Sequence, residues 1–261
     1  MNMNHLLTIN KSGINGLQKK LDITAANIAN VNTVGYKKND TTFTELLHNA
    51  NTPDEVRIAN AATNQSVNRG VAVSNQSVNF IQGSLSSTTS SWDMAIDGEG
   101  FFGVRDANNQ LYLTRAGNFQ RDAQGYLRTN EGLQVEVEET IPQNQWPNGD
   151  ASVSANGVII IQSNGQSVTV GRVILYKPEN NENLRSVGNN LYQAVDGQKL
   201  IQSTNQQEAF GRIHNYQLEN ANVNLADSMT DLIVSQRAYS INLKALETSD
   251  EMSSVINRFT E

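Results

Sequence analysis

Two ladders of apolar residues at helical spacing stand at opposite ends of the chain, about two hundred residues apart, and the sequence between them alternates as β-structure does. Near the N-terminus, Leu7, Ile14, Leu17, Leu21, Ile28 and Val31 follow three- and four-residue steps, with Asn10 and Thr24 at the remaining seam positions. Near the C-terminus the ladder is Leu225, Met229, Leu232, Gln236, Tyr239, Leu243 and Leu246. So narrow a stripe suits a partner helix better than the broad face of a globular core. Two helices packing on each other within one chain meet the same pattern, and such a pair can still offer its outer faces to neighbours. Asn10, Thr24 and Gln236 weaken a simple two-stranded coil and can fix register.

The spacing predicts a first helix from about Asn4 to Val31, with Gly13 and Gly16 inside it. Each glycine costs up to ~1 kcal/mol relative to Ala, so packing must supply the rest. From Asn27 to Lys37 the chain is dense in Asn and is closed by Gly35, which can take a left-handed conformation, so the helix stops there. Phe43 to Leu47 reads as a further helical turn, and Asn49 to Gln76 as an extended or partly disordered arm. The last helix is expected from near Asn224 almost to Phe259, its seam slipping beyond Leu246 to Met252, Val255 and Phe259 like a stutter.

Between Val78 and His214 the period shifts towards two. Phe101–Val104, Leu111–Leu113, Val135–Glu138, Val158–Ile161, Val168–Val170 and Val173–Tyr176 read as strands. Turn signals separate them, among them Asp106–Asn109, Asp122–Gly125, Asn148–Gly149, Asn156–Gly157, Asn164–Gly165 and Asp196–Gly197. The fold class is therefore α+β: terminal helices forming a coiled-coil-like helical domain, and a central antiparallel all-β domain. In numbers, 1–36 and 216–261 are the helical parts, 37–77 the arm and 78–215 the β domain.

Composition narrows the function. The 261 residues can bury a real core, yet only 38% are hydrophobic and 17% charged, with Asn, Ser, Gln and Thr in their place. Mean hydropathy is −0.47, and a chain so polar can need neighbours to complete its packing. A net charge of −7 argues against a basic nucleic-acid or membrane face. The absence of cysteine excludes disulfides and thiolate chemistry. Met1–Leu7 lacks the basic and apolar regions of a secretory signal, and nothing approaches the ~20 apolar residues of a membrane span. The expectation is a cytosolic protein, or one exported without a cleaved signal.

Chemical motifs are weak. Gly98-Glu99-Gly100-Phe101-Phe102-Gly103 is a literal G-x-G-x-x-G with Asp122 downstream, but a dinucleotide site needs a strand before it and a helix after it. Asp93, Asp97 and Glu99, and Glu136, Glu138 and Glu139, carry no catalytic spacing, and Glu136 and Glu138 share one face of their strand, read as solvated. His5, His48 and His214 are scattered. No catalytic residue, cofactor or metal is expected.

Five blocks bring a resemblance into view. Ile23–Lys37 resembles the N-terminal signature of bacterial flagellar rod and hook proteins, N-I-A-N-x-x-T-x-G-[FY]-[KR]. Gln82–Leu85 with Asp93–Phe102, Tyr112–Phe119, Gly188–Tyr192, and Leu218–Asn224 with Leu232–Asn242 resemble further family patterns in the same order. Leu113 is an extra residue after Tyr112, Ser240 stands where the family often has Glu, and Ala221 stands at a usual Ser. The resemblance implies a self-assembling axial subunit, with terminal helices lining an inner tube and the β domain outside. Length and the Leu47–Gly70 arm suggest the distal rod, with a proximal-rod or hook-basal-body subunit as the alternative. Its implied partners are further copies of itself, other rod subunits and hook protein, the flagellar type III export apparatus and rod-surrounding ring proteins, with no nucleic acid and no membrane insertion. The assembly interface expected on this basis comprises Leu7, Ile14, Leu17, Leu21, Asn27, Ile28, Asn30, Val31, Gly35, Leu225, Met229, Leu232, Gln236, Arg237, Tyr239, Leu243 and Leu246. A secreted β-domain adhesin or glycan-binding protein is the reading from another class. It requires binding that survives loss of both terminal segments, and an enzyme would require turnover that depends on Asp97 or Glu99.

Overall fold

The computed structural model describes residues 3–48, 67–73, 77–180, 183–195, 197–205 and 207–260. The chain divides into two compact units: Met1–Ala29, Asn39–Ser77 and Asn224–Glu261 in the first, Asn30–Lys38 and Val78–Val223 in the second.

The first unit is built on two long helices, α1 over Met3–Ala29 and α2 over Leu225–Thr260, which pack on each other. Asn224 starts α2: its Oδ1 accepts from the Ala226 N–H at 3.0 Å and the Asp227 N–H at 3.4 Å, satisfying donors that an α-helix leaves open. Asp227 then sits at the positive end of the helix dipole. At the other end of α1 the Asn27 side chain bonds both backbone groups of Asn39, accepting its N–H at 2.9 Å and donating to its carbonyl at 2.8 Å.

Phe43–Leu47 does not form the expected helical turn. Phe43–His48 is a strand, paired antiparallel with Val67–Val73, and the second strand packs on α1, where the Val71 N–H donates to Ser12 Oγ at 3.1 Å. A five-residue apolar stretch is ambiguous in period, and a distant partner decided it. Of the expected Asn49–Gln76 arm, Val67–Val73 is thus a strand, and 49–66 and 74–76 lie outside the described residues.

The second unit is antiparallel β throughout its described strand pairs. A nine-stranded sheet runs from Leu184–Gly188 through Leu191–Ala194, Leu111–Thr114, Phe101–Arg105, Gln134–Val135 and Leu127–Arg128 to Gln120–Arg121, with Leu175–Pro178 and Leu200–Gln202 attached. A four-stranded sheet orders Val137–Glu139, Gln166–Val173, Val158–Ser163 and Asp150–Val153. Their buried faces supply one core around Phe102, Phe119, Leu127, Ile159 and Ile161, and a smaller one around Phe101, Leu113, Tyr176 and Tyr192. The Asn164–Gly165 turn has φ of 52° and 80°, the left-handed pair that a tight hairpin between Val158–Ser163 and Gln166–Val173 requires.

Two expectations change. Val135–Glu138 is not one strand: Val135 belongs to the nine-stranded sheet and Val137 to the four-stranded one. Glu136 sits at this corner, where its N–H donates to the Gly103 carbonyl at 2.8 Å and its carboxylate pairs with Arg105 at 2.9 Å. It is therefore half-buried and engaged, while Glu138 stays exposed, so the two do not share one solvated face. The G-x-G-x-x-G stretch joins strand Met94–Asp97 to strand Phe101–Arg105, with Gly98 and Gly100 at φ of 110° and 129°. It is a strand-to-strand turn, without the helix a pyrophosphate site is built on.

Candidate assembly interface

Within the first unit, the α2 side chains turned inward are short. Ser228 and Ser235 are buried, and Ala238, Asn242, Ala245 and Ser249 are half-buried, alongside Leu232, Tyr239 and Leu246. Ser228, Ser235, Asn242 and Ser249 recur every seven residues, three positions after the Leu225, Leu232, Tyr239 and Leu246 series. This is heptad spacing with a large residue at one seam position and a small polar one at the other. The buried stripe is consequently rotated by roughly a quarter turn from the apolar ladder. Leu232, Tyr239 and Leu246 lie on its edge, and Leu225, Met229, Gln236, Arg237 and Leu243 face outward.

Large apolar side chains populate the outside of α2. Among the described residues Leu225, Met229, Ile233, Val234, Ile241, Leu243, Met252 and Val255 are all exposed, Ile241 to 67%. They occupy two flanks, Leu225, Met229, Ile233 and Leu243 on one, Val234, Ile241, Met252 and Val255 on the other. A helix that hides serines and shows isoleucine and valine inverts the usual amphipathic arrangement. Exposed apolar patches of this kind are characteristic of protein interaction surfaces in general.

On α1, Ile14, Leu17, Leu21 and Ile28 are half-buried, and the side chain of Leu7 lies outside the described residues. The most buried positions are Gly16, Ile23, Thr24 and Asn27, of which Gly16, Ile23 and Thr24 fell outside the expected interface. Thr24 Oγ1 donates back to the Lys20 carbonyl at 2.8 Å, so its polar seam position is locally satisfied. Asn27, at 3% exposure, is held inside the chain by Asn39.

In the second unit Asn30 and Val31 are half-buried, and Asn30 shapes the turn that follows α1: its carbonyl accepts from the Thr33 N–H at 3.0 Å and its Oδ1 from the Thr33 hydroxyl at 3.1 Å. Gly35 is buried at φ 68°, and a Cβ there would stand 2.4 Å from the Ala116 nitrogen. Its N–H donates to the Glu219 carbonyl at 2.7 Å. Asn27 and Gly35 are thus placed inside the chain, not at its surface.

The same unit contains a buried ionic joint. Glu219, fully out of solvent, accepts from Lys37 Nζ at 2.6 Å and from Arg115 at 3.3 Å. Its Oε1 also takes the Gly83 N–H at 2.8 Å. Lys37 donates further to the Ile81 carbonyl at 2.9 Å, and Arg115 to the Gly98 carbonyl at 2.8 Å. Around it, Asn222 accepts the Lys38 N–H at 2.6 Å and donates to the Asn79 and Ile81 carbonyls, while Asn190 donates to Val34 at 3.1 Å. Every sequence block carrying the family resemblance, apart from the part lying in α2, sends a residue to this joint. Burial pushes the Lys37 ammonium and the Arg115 guanidinium below their usual values, against the pull of Glu219.

The joint escaped sequence reading because its members are 182 and 104 residues apart. The available signal was a lone charge inside each otherwise apolar or Asn-rich block. Among the described residues, no three metal-ligating side chains cluster, and no helix is long and apolar enough to cross a membrane.

Comparison with known proteins extends these observations along the chain. Residues 7–37 match the family model of the flagella basal body rod protein. Residues 95–171 match the flagellar hook protein FlgE/F/G D1 domain, and 215–259 the flagellar basal body rod FlgEFG protein C-terminal region. The flagellar basal-body rod protein FlgG of Buchnera aphidicola subsp. Acyrthosiphon pisum is 35% identical over 94% of this chain and 96% of its own. FlgG of Bacillus subtilis is 32% identical over 92% and 93%. The flagellar basal-body rod protein FlgF of Caulobacter vibrioides is 30% identical over 96% of each chain.

Proposed function

The chain belongs to the flagellar basal-body rod protein family, and from that premise we propose that it is a structural subunit of the distal rod, polymerising into the axial tube that links motor to hook. The observation that carries the self-assembly reading is the outer surface of α2. Isolated in water, its exposed Ile, Val, Leu and Met side chains, each about half open to solvent, forgo on the order of 1 kcal/mol of burial apiece. Packing against α-helices of neighbouring copies recovers it, and contacts that do not close into a ring extend into a filament.

In this reading α1 and α2 form a coiled-coil-like pair through the small-residue heptad, and their remaining flanks are inter-subunit seams. Leu225, Met229, Gln236, Arg237 and Leu243 of the expected interface lie on the exposed surface. Ile14, Leu17, Leu21 and Ile28, half-buried, contribute their edges. Segments 1–36 and 216–261 act as the helical axial part, 37–77 as an arm and 78–215 as the β part. Other rod subunits and hook protein are its axial neighbours, and export through the flagellar type III apparatus brings it outside the cytoplasmic membrane. The abundance of FlgG among the similar proteins favours the distal over the proximal rod.

The test is complementation of a strain deleted for this gene. Ile241→Asp is expected to leave the purified chain folded, by circular dichroism, while abolishing motility and arresting basal bodies before the hook. Normal swimming with this variant would reject α2 as an assembly surface.

A further inference from the structure

The second unit carries a feature that the helical tube does not use. Between the Val78–Gln82 segment and the Gly98–Phe101 turn lies a groove of about 530 Å³. Phe80, Ile81 and Phe101 line it with apolar surface, and Glu99, Arg115 and Lys177 with charge.

Ile81 is its rim. The side chain is 70% exposed, the most open of the large apolar side chains described. Yet its backbone is fixed on both sides: the carbonyl accepts from Lys37 Nζ at 2.9 Å and Asn222 Nδ2 at 2.8 Å, and the N–H donates to Asn79 Oδ1 at 3.0 Å. A large aliphatic side chain held out on a pinned backbone has only its own rotamers left to order when a partner arrives, which lowers the cost of using it as a binding anchor.

The lining is also short of negative charge. Arg115 is 5% exposed and spends its terminal nitrogens on Glu219 and Gly98, leaving its Nε–H without an acceptor. Lys177 is paired with Glu99 across the lining, so the groove keeps one cation in excess. That excess is shared with the joint behind it, where Lys37 and Arg115 face the single carboxylate of Glu219: groove and joint together hold three cations against two carboxylates.

We infer that this groove is a second subunit-docking site, receiving an acidic side chain flanked by apolar ones from a second copy of this chain. The occupant follows from charge and copy number. The chain carries a net −7, so its neighbours in a homopolymer present carboxylates to one another, and a cationic apolar groove turns that repulsion into a directed contact. The groove and the surface that would fill it are different patches, so the contact is head-to-tail and propagates instead of closing. The inference rests on the self-assembly reading above and adds the β unit as a second source of subunit affinity.

Sedimentation velocity of the full chain over a concentration series tests it, with Ile81→Asp, Lys177→Gln and the helix variant Ile241→Asp alongside. Both groove substitutions lie on side chains at the rim, and unchanged circular dichroism and thermal midpoint confirm folding. The groove variants are expected to weaken self-association by about tenfold or more, the loss for Lys177→Gln shrinking at high salt. If the parent chain associates and both groove variants match it, the groove plays no part and the helical reading stands. If the parent chain does not associate at any concentration, the self-assembly reading falls and takes this inference with it. A photo-crosslinking residue at position 81 supplies an independent readout. Products joined to an acidic segment of another copy support the site, and products confined to single chains in an associated sample overturn it.

Discussion

At Glu219 one carboxylate, wholly out of water, answers two cations, Lys37 at 2.6 Å and Arg115 at 3.3 Å. Exchanging such a triad for well-packed apolar residues can be neutral, whereas removing its only anion strands two buried positive charges. Glu219→Gln is therefore expected to cost about 3–5 kcal/mol in urea unfolding of the full chain. A loss below about 1 kcal/mol would mean that water reaches the joint. Gly35 is a second single-residue dependence, for a different reason: φ 68° and the Ala116 backbone leave no room for a Cβ. Gly35→Ala should cost well over about 1 kcal/mol in the same assay. Buried phenols give a pH signature. Burial raises the Tyr176 and Tyr192 hydroxyls above their ordinary 10.0, Tyr176 with added contributions from Glu136. Above pH 10 the unfolded chain releases these protons and the folded chain keeps them, so this stability is intact below pH 10 and drains away above it. Lys37 acts oppositely, its lowered value making stability rise with pH up to its ordinary 10.5. The Arg115 guanidinium, also held low by burial, acts in the same sense as Lys37, so the phenols are read directly: alkaline titration should show two of the seven tyrosines ionising only as circular dichroism is lost.

For whole elements, the contest was between apolar periodicity and side-chain size. α1 ends two residues before the Val31 read from sequence, and α2 starts one residue after Asn224, because caps and turn chemistry are local signals. The hairpin dipeptides were equally legible, Asn164–Gly165 and Asn156–Gly157 both closing turns. What failed was anything settled by a remote partner: the strand at Phe43–His48, the sheet change at Glu136, and the face that α2 turns inward. An apolar ladder ranks positions by hydrophobicity, but close helix approach selects short side chains, and the Ser228, Ser235, Asn242, Ser249 heptad was the signal that ranking passed over. Ser228 and Ser235 also hold buried hydroxyls without a partner. Ser235→Ala removes one such group and improves helix propensity, so it should stabilise the chain by about 1 kcal/mol. Ser235→Leu should destabilise by about 1–3 kcal/mol through overpacking. If alanine destabilised as leucine does, the hydroxyl would have an acceptor and the seam would be polar by design.

Across the whole chain, the two units hold their stability in different ways. The β unit has two apolar cores and a buried ionic joint, all built from its own residues. The helical unit buries small and polar side chains and leaves its largest aliphatic ones in water, so little of its possible hydrophobic stabilisation is realised in a free chain. Local opening free energies should split accordingly, since cooperative units with few buried apolar contacts exchange first. Hydrogen exchange on a dilute chain is expected to show slow amides in Phe101–Arg105 and Val158–Ser163, near the global limit. Amides around Leu243 and Ile14 should exchange at least a hundredfold faster, a gap of about 2.7 kcal/mol or more. In the assembled state the α2 amides should slow towards those of the β unit, because neighbouring copies then cover Ile233, Val234 and Ile241. A free chain whose α2 is already protected to the same degree as Val158–Ser163 would show that the helical pair is complete in one subunit. Assembly would then add a contact to a finished fold, and the exposed aliphatic flanks would be a docking surface only, with no part in ordering the helices.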